Sequence, residues 1–204
     1  MSALLVFLGG EGRNELGSWA AEPAYQSDDE PGVIKALLLH TRPDGWKIFG
    51  AQVWKRIRKY TDHGRLPANT RGFVRGSHEE RTVLGLVLDA KERGAQIVAF
   101  VRDQDDDPDR AEIIAHAVKR ARAYFSNIQV VGDTAVPVLE AWILALMGEP
   151  GSESLGKTKC QRLLAARGVT STALMVGEVL PGRLVPEDAT HLHSWLTQAK
   201  VALA

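Results

Sequence analysis

The chain has 204 residues, 45% of them hydrophobic, and its formal net charge is zero. This length is enough to bury the core of one domain, and the balanced charge argues against a histone-like or polybasic binder. The single cysteine, Cys160, excludes an internal disulfide, and the chain has no cluster of cysteines of the kind that binds zinc. The apolar segment from Ala3 to Leu8 is too short for a signal peptide or a membrane span. We expect a cytoplasmic protein with no membrane association.

The first predicted element is a buried strand over Ser2 to Leu8, closed by the turn Gly9-Gly10-Glu11-Gly12. The glycines permit a tight turn and a close approach of the backbone. Glu11 is then placed at the tip of this strand. A dinucleotide-binding motif is disfavoured here, because Glu15 occupies the position of its third glycine.

A basic section follows a predicted short helix, Val33 to His40, and a candidate strand, Trp46 to Trp54. Its cations are Lys55, Arg56, Arg58, Lys59, Arg65, Arg71 and Arg75, with Trp54, Tyr60 and Phe73 interleaved. Such a stretch is suited to holding phosphates and stacking bases. A solvated loop with ordinary core aromatics explains the same pattern, and the sequence leaves both interpretations open.

Helices and strands alternate through the middle of the chain. Ser77-His78-Glu79-Glu80 has the form of a capping box, and it opens a helix that Gly94 should end. Ile97 to Val101 is a continuous apolar run, which is typical of a parallel strand covered on both faces. A helix from Pro108 and a strand over Ile128 to Val131 come next. This alternation predicts an α/β fold with a doubly wound, mainly parallel sheet flanked by helices.

The central apolar run ends in an acidic stretch, Arg102-Asp103-Gln104-Asp105-Asp106-Asp107. Ligands bind at the carboxyl ends of the strands in open α/β sheets. Asp103 and Asp105 would lie on one side if the extended conformation persists. Because like charges repel unless a cation or protons neutralise them, we expect a divalent-metal site here. Asp107 has a second interpretation, as the cap of a helix that begins at Pro108.

Glu140 is the only charged residue between Ala135 and Met147, in a predicted helix that Gly148 should end. An ionised carboxylate in such an apolar segment must reach water, a cation or a hydrogen-bond donor. A structural salt bridge and a site carboxylate both meet this need, and the sequence leaves both open.

Residues 151–158, Gly-Ser-Glu-Ser-Leu-Gly-Lys-Thr, formally match the phosphate-binding loop G-x-x-x-x-G-K-[ST]. The motif needs a preceding strand, whereas the apolar run before it has helix signals, and Glu153 would bring negative charge toward the phosphates. An exposed helix start whose Lys157 and Lys159 contact an anionic ligand is the favoured interpretation. Further helices are predicted over Lys157 to Arg167, Ser171 to Leu180 and Glu187 to Leu203.

Three segments resemble, in order, the TOPRIM domain shared by topoisomerases, bacterial primases and OLD-type nucleases. Val6 to Glu15 resembles the motif in which a glutamate followed by glycine ends the first strand, and Ala99 to Asp105 resembles the later Asp-x-Asp motif. Val136 to Leu144 looks like a segment of small stand-alone TOPRIM-related proteins found near phage-defence genes. Two departures are the glycine pair before Glu11 and the long separation between Glu11 and Asp103.

The resemblance implies a TOPRIM-like domain over residues 1–148, with an insertion at about 17–76, and a helical subdomain over 149–204 packed on it. It implies that Glu11, Asp103 and Asp105 are catalytic and ligate Mg²⁺ or Mn²⁺, hard cations that favour carboxylate oxygens. Glu15, Asp107 and Glu140 are candidates for a second ion. The candidates for binding phosphates are Arg13, Arg75, His78, Lys157 and Lys159.

The function implied by the resemblance is metal-dependent hydrolysis of nucleic acid, DNA in preference to RNA, in phage defence. OLD-type nucleases carry an ATPase in the same chain, so we expect a separate ATPase partner; a homo-oligomer is compatible with the sequence. Two alternatives remain open. One is a non-catalytic nucleic-acid-binding or partner subunit with a TOPRIM-like shell, and the other is a nucleotide-binding protein that uses residues 151–158.

Overall fold

A computed structural model describes residues 3–60, 77–180 and 183–204. These residues form a four-stranded, all-parallel sheet with the strand order β2-β1-β3-β4. The strands are β1 (Leu4–Gly10), β2 (Trp46–Val53), β3 (Ile97–Asp103) and β4 (Gln129–Ala135). The two apolar runs predicted to be buried strands are the central pair, β1 and β3. Their carboxyl ends therefore lie side by side, which brings Glu11 close to Asp103.

Helices cover both faces of the sheet. They are α1 (Arg13–Leu16), α2 (Val33–Thr41), α3 (His78–Glu92), α4 (Arg110–Tyr124), α5 (Leu139–Leu146), α6 (Lys157–Ala166), α7 (Thr172–Glu178) and α8 (Thr190–Leu203). One apolar cluster joins α3 and α4 to the sheet, and a second joins α2, α5, α6, α7 and α8 to its other face. An α/β fold with a parallel sheet flanked by helices is confirmed. None of the helices in the described ranges is long and apolar enough to span a bilayer.

Side chains alternate along β3 between the two apolar clusters. Val98 and Phe100 pack with α3 and α4, whereas Ala99 and Val101 pack on the face of α5. The same alternation continues to the end of the strand. Arg102 and Asp103 thus leave β3 on opposite faces of the sheet.

The helix boundaries follow local signals. Ser77 caps α3, because its hydroxyl oxygen accepts a hydrogen bond from the backbone N–H of Glu80 at 3.2 Å. The helix predicted to begin at Pro108 begins two residues later, at Arg110, with Asp109 as its N-cap. Asp107 accepts a hydrogen bond from the backbone N–H of Asp109 at 3.2 Å, so it stabilises the turn before α4. The prediction that Asp107 itself caps the helix is wrong, because α4 begins at Arg110 and its N-cap is Asp109.

The segments assigned to an insertion and to a subdomain share one core with the sheet. Within residues 17–76, β2 pairs with the full length of β1, and α2 packs beneath it. Within residues 149–204, α8 lies against β4, and the indole N–H of Trp195 donates to the carbonyl of Phe100 at 2.9 Å. Trp195 also packs against Trp142 of α5, with ring centroids 6.5 Å apart.

Candidate functional site at the carboxyl edge of the sheet

Asp103 is the last residue of β3, and its carboxylate meets the start of α5. Oδ1 of Asp103 accepts a hydrogen bond from the backbone N–H of Leu139 at 2.8 Å. A helix N-terminus favours negative charge. Burial nevertheless raises the pKa of Asp103 to about 7, and the nearby carboxylates of Glu15 and Glu140 add to the rise. The environment of Asp103 thus opposes its ionisation.

Glu15 reaches the same place from α1. It is 6% exposed, and its Oε2 accepts a hydrogen bond from the backbone N–H of Gly12 at 2.8 Å. Gly10 lets α1 come this close, because a Cβ at Gly10 would lie 2.6 Å from the Cβ of Glu15. Burial raises the pKa of Glu15, and Glu140 contributes in the same direction.

Glu140 lies in the first turn of α5. Among the described residues, neither a hydrogen bond nor an ion pair engages its side chain, so the salt-bridge interpretation has no partner in that part of the chain. Its charge acts on both Glu15 and Asp103. We call Glu15, Asp103 and Glu140 the acidic cluster.

The acidic cluster is not a ready-made metal cage. Within residues 3–60, 77–180 and 183–204, no three His, Cys, Asp or Glu side chains are arranged as a ligand set for a metal ion. The cluster instead brings three carboxyl groups together, and burial and repulsion raise the pKa of two of them, Glu15 and Asp103.

Glu11 turns away from the acidic cluster toward the α3 side. Its Oε1 accepts the backbone N–H of Asp103 at 3.2 Å and forms an ion pair with Arg102. Arg102 is 13% exposed at its side chain and also pairs with Glu79 at 3.1 Å. Glu79 in turn accepts the indole N–H of Trp54 at 2.9 Å. Glu11, Arg102 and Glu79 form what we call the arginine network.

Asp105 does not continue the line of Asp103. The strand ends at Asp103, and Asp105 has a φ of 51°, in the left-handed region. The condition under which Asp103 and Asp105 would lie on one side is therefore not met. The Asp105 carboxylate lies 2.7 Å from Nζ of Lys157 and 3.1 Å from Nη1 of Arg110. Burial alone would raise the pKa of Asp105, but hydrogen bonds from Lys157 and Arg110 lower it.

Residues 151–158 lack the geometry of a nucleotide-binding loop. They follow α5 and a turn, where that motif needs a strand. Glu153 accepts the backbone N–H groups of His191 and Leu192 at 3.1 and 3.0 Å, and so caps α8. Lys157 opens α6 and reaches Asp105, whereas Lys159 is exposed on the same helix.

Arg13 and His78, two other predicted phosphate-binding residues, lie apart from the acidic cluster. Arg13 is largely exposed and pairs with Glu30. His78 is exposed at the first position of α3. Arg75 lies outside the described residues. Asp107, a candidate metal ligand, is 3.6 Å from Nε of Arg110.

The sequence did not single out Arg102, Glu79 or Arg110. Arg110 donates to the backbone carbonyls of Asp103 and Gln104, each at 2.8 Å, and so holds the turn after β3. The position of Arg102 was a usable signal. Side chains alternate along a strand, so Arg102 lies on the face opposite Asp103, and a charged side chain at the end of a buried strand needs a partner on its own face.

The carboxyl edge of the sheet thus has two sides of different character. The acidic cluster lies on the α5 side, and the arginine network lies on the α3 side. Comparisons of the chain with protein-family models, with curated proteins and with solved structures found no match. The geometry of these two sides is what supports a functional proposal.

Proposed function

We propose that this chain is a metal-dependent nuclease whose reaction centre is the acidic cluster. The observation that carries the proposal is the juxtaposition of Asp103, at the end of β3, with the buried Glu15 and with Glu140 in the first turn of α5, where burial and these neighbours raise the pKa of Asp103 to about 7. Holding such carboxylates together is unfavourable near neutral pH unless protons or a cation balance them. A divalent cation would supply that balance and keep all three groups ionised.

The donor atoms of the acidic cluster suit Mg²⁺ or Mn²⁺. They are all carboxylate oxygens, which these hard cations prefer. Mg²⁺ is commonly held by one or two carboxylates and keeps several waters, so it does not require a full protein cage. Oδ2 of Asp103 and the carboxylate of Glu140 would hold the ion, because Oδ1 of Asp103 and Oε2 of Glu15 already accept backbone N–H groups.

A bound divalent ion supplies charge stabilisation at a phosphate and lowers the pKa of a coordinated water. Lys157 is placed to bind a phosphate oxygen beside the acidic cluster. Its ammonium nitrogen lies 2.7 Å from Asp105 and interacts with the charges of Asp103 and Glu140. Its side chain is 47% exposed, so it is accessible to a substrate. Glu11 and Asp105, implied by the resemblance to be ligands, act in this proposal as positioning residues.

Substitutions within the acidic cluster test the proposal. Asp103→Asn and Glu140→Gln keep the size of each side chain and remove its charge, and Asp106→Asn is the matched control because Asp106 is an exposed carboxylate in the same loop. Calorimetry with Mn²⁺ alone measures metal binding. Cleavage of single-stranded DNA, duplex DNA and RNA is measured in parallel.

We expect both cluster variants to lose Mn²⁺ binding and to cut nucleic acid about 10³-fold more slowly, since a catalytic ion contributes several kcal/mol. The control should retain both properties. A wild-type protein that does not bind Mn²⁺ contradicts the proposal. One that binds Mn²⁺ without cutting any of the three substrates favours the non-catalytic alternative.

Three further parts of this proposal rest on the family resemblance. They are DNA as the substrate, a separate ATPase partner and a role in phage defence.

A further inference from the structure

A cavity of about 450 Å³ opens beside the start of α3, on the arginine-network side of the sheet edge. The charged side chains and the imidazole that line it belong to Lys55, Lys59, His78, Arg102, Glu11 and Glu79. We call it the α3-side cavity. Ligand pockets commonly measure about 300–1,000 Å³, so this cavity has room for a group the size of one nucleotide.

The charges on the wall of this cavity do not balance. Both acids, Glu11 and Glu79, already have arginine partners: Arg102 pairs with each of them, and Arg110 lies 3.5 Å from Glu79. Within the described ranges, neither Lys55 nor Lys59 pairs with an acid. Lys55 is exposed and Lys59 is partly exposed. Two ammonium groups without counter-charges around a concave surface attract anions.

His78 adds to this anion-binding character. It is the first residue of α3, exposed, and without a partner for its imidazole in the described part of the chain. An imidazole can donate a hydrogen bond to an anion in either protonation state.

The α3-side cavity adjoins the acidic cluster through Glu11. Glu11 lines the cavity, and its Oε1 accepts the backbone N–H of Asp103 at 3.2 Å. Arg102, together with Arg110 at 3.5 Å from Glu79, balances the two carboxylates of the arginine network, which lies between the acidic cluster and the two lysines. A nucleic-acid strand carries one negative charge per nucleotide, so a strand that reaches the cluster brings further phosphates to its surroundings.

We infer that the α3-side cavity is a phosphate subsite, in which Lys55, Lys59 and His78 hold a phosphodiester neighbouring the one at the acidic cluster. This inference rests on the proposed function for its substrate class. The ligand chemistry is a backbone phosphate, and either a single strand or a duplex can supply it.

Binding without metal tests the inference. Fluorescence anisotropy measures the Kd for labelled single-stranded DNA and for the matching duplex, in EDTA and over a range of KCl concentrations. The variant is Lys55→Ala with Lys59→Ala. Its matched control is Lys119→Ala with Lys200→Ala, which removes the same charge from exposed positions on α4 and α8.

The cavity variant should bind at least about 10-fold more weakly at 0.1 M salt, and each lost contact should reduce the salt slope by about 0.7 for a single strand or about 0.9 for a duplex. The control pair should bind like the wild type. A loss with the single strand alone identifies it as the source of the phosphate, and a loss with both probes includes the duplex. Equal effects of the two variant pairs would overturn the subsite.

A second variant separates charge from fold. Lys55→Arg with Lys59→Arg keeps both positive charges and should retain wild-type affinity; loss of binding in this variant would contradict an electrostatic subsite. Because EDTA removes any metal, these results do not depend on cleavage. A protein that binds through Lys55 and Lys59 but cuts nothing contradicts the nuclease proposal alone. If the wild type cuts nucleic acid and the variant Lys55→Ala with Lys59→Ala binds it as tightly as the wild type, the subsite alone is contradicted.

Discussion

The ammonium nitrogen of Lys157 lies 2.7 Å from Oδ1 of Asp105, which ties the start of α6 to the turn after β3. Lys157 belongs to a segment whose sequence matches a phosphate-binding loop, yet its ionic partner is at the edge of the sheet. The helices that follow residue 148 therefore contribute directly to the candidate site.

This ion pair should contribute little to stability. The side chain of Lys157 is 47% exposed, and pairs that water can reach are typically worth about 0.2–1 kcal/mol. A double-mutant cycle of Lys157→Ala and Asp105→Asn, measured by urea denaturation, should give a coupling energy in that range. In Lys157→Ala the pKa of Asp105, followed by NMR, should rise toward its ordinary value. Lys159→Ala is the control and should leave the pKa of Asp105 unchanged.

Asp103 should make the fold less stable as the pH rises. Its pKa is about 7 in the folded protein, against an ordinary value of 3.8. Between these values the folded protein binds a proton that the unfolded chain has released, so the free energy of unfolding falls as the pH rises through this window. Asp103→Asn should remove up to about 4 kcal/mol of that fall, as measured by urea denaturation in EDTA.

Two comparisons sharpen this pH prediction. Asp106→Asn should keep the wild-type pH dependence, because Asp106 is exposed. Mn²⁺ at about pH 8 should stabilise the wild type and not Asp103→Asn, since a ligand stabilises the state to which it binds. An Asp103→Asn protein that is less stable than the wild type at about pH 8 would show that the ionised carboxylate of Asp103 does not destabilise the fold.

Arg102 should be a major contributor to stability. Its side chain is 13% exposed and pairs with both Glu11 and Glu79. Arg102→Leu leaves Glu11 without its cation and leaves Glu79 with Arg110 alone, whose Nε lies 3.5 Å from Oε1 of Glu79, and we expect a loss of about 3 kcal/mol by urea denaturation. Arg13→Leu breaks a largely exposed pair with Glu30 and should cost less than about 1 kcal/mol. Equal losses in the two variants would contradict the structural role of the arginine network.

His191 and Asp133 should couple α8 to β4 in a pH-dependent way. Nδ1 of His191 lies 3.0 Å from Oδ1 of Asp133, and this hydrogen bond raises the pKa of His191 above 6.5. The pair therefore stabilises the fold fully below about pH 6.5, and that contribution is lost as the pH rises through the folded pKa. Asp133→Asn should cost about 1 kcal/mol at pH 6 and less at pH 9.

NMR titration checks the His191 prediction directly. Asp133→Asn should lower the pKa of His191 toward its ordinary value, because the hydrogen bond to Asp133 is the largest cause of the rise. A pKa of His191 that does not respond to Asp133→Asn would contradict the pairing.

Much of the fold could be predicted from the sequence because its signals are local. The apolar runs became β1 and β3, the capping residue Ser77 marked the start of α3, and Gly148 follows α5 with a positive φ of 83°. Periodicity and capping depend on neighbours in the chain, so they are visible without a structure. The shift of α4 to Arg110 shows the usual uncertainty at a helix end.

The candidate site was less predictable, because its contacts join distant parts of the chain. The sequence by itself determined that acids follow β1 and β3 and that Glu140 is isolated in an apolar helix. Only the tertiary structure decided that Glu15 and Glu140 act on Asp103, while Glu11 pairs with Arg102 and Asp105 with Lys157. The physical reason is that side chains alternate across the sheet and that the backbone turns after Asp103. Residues adjacent in sequence were therefore placed on opposite sides of the edge.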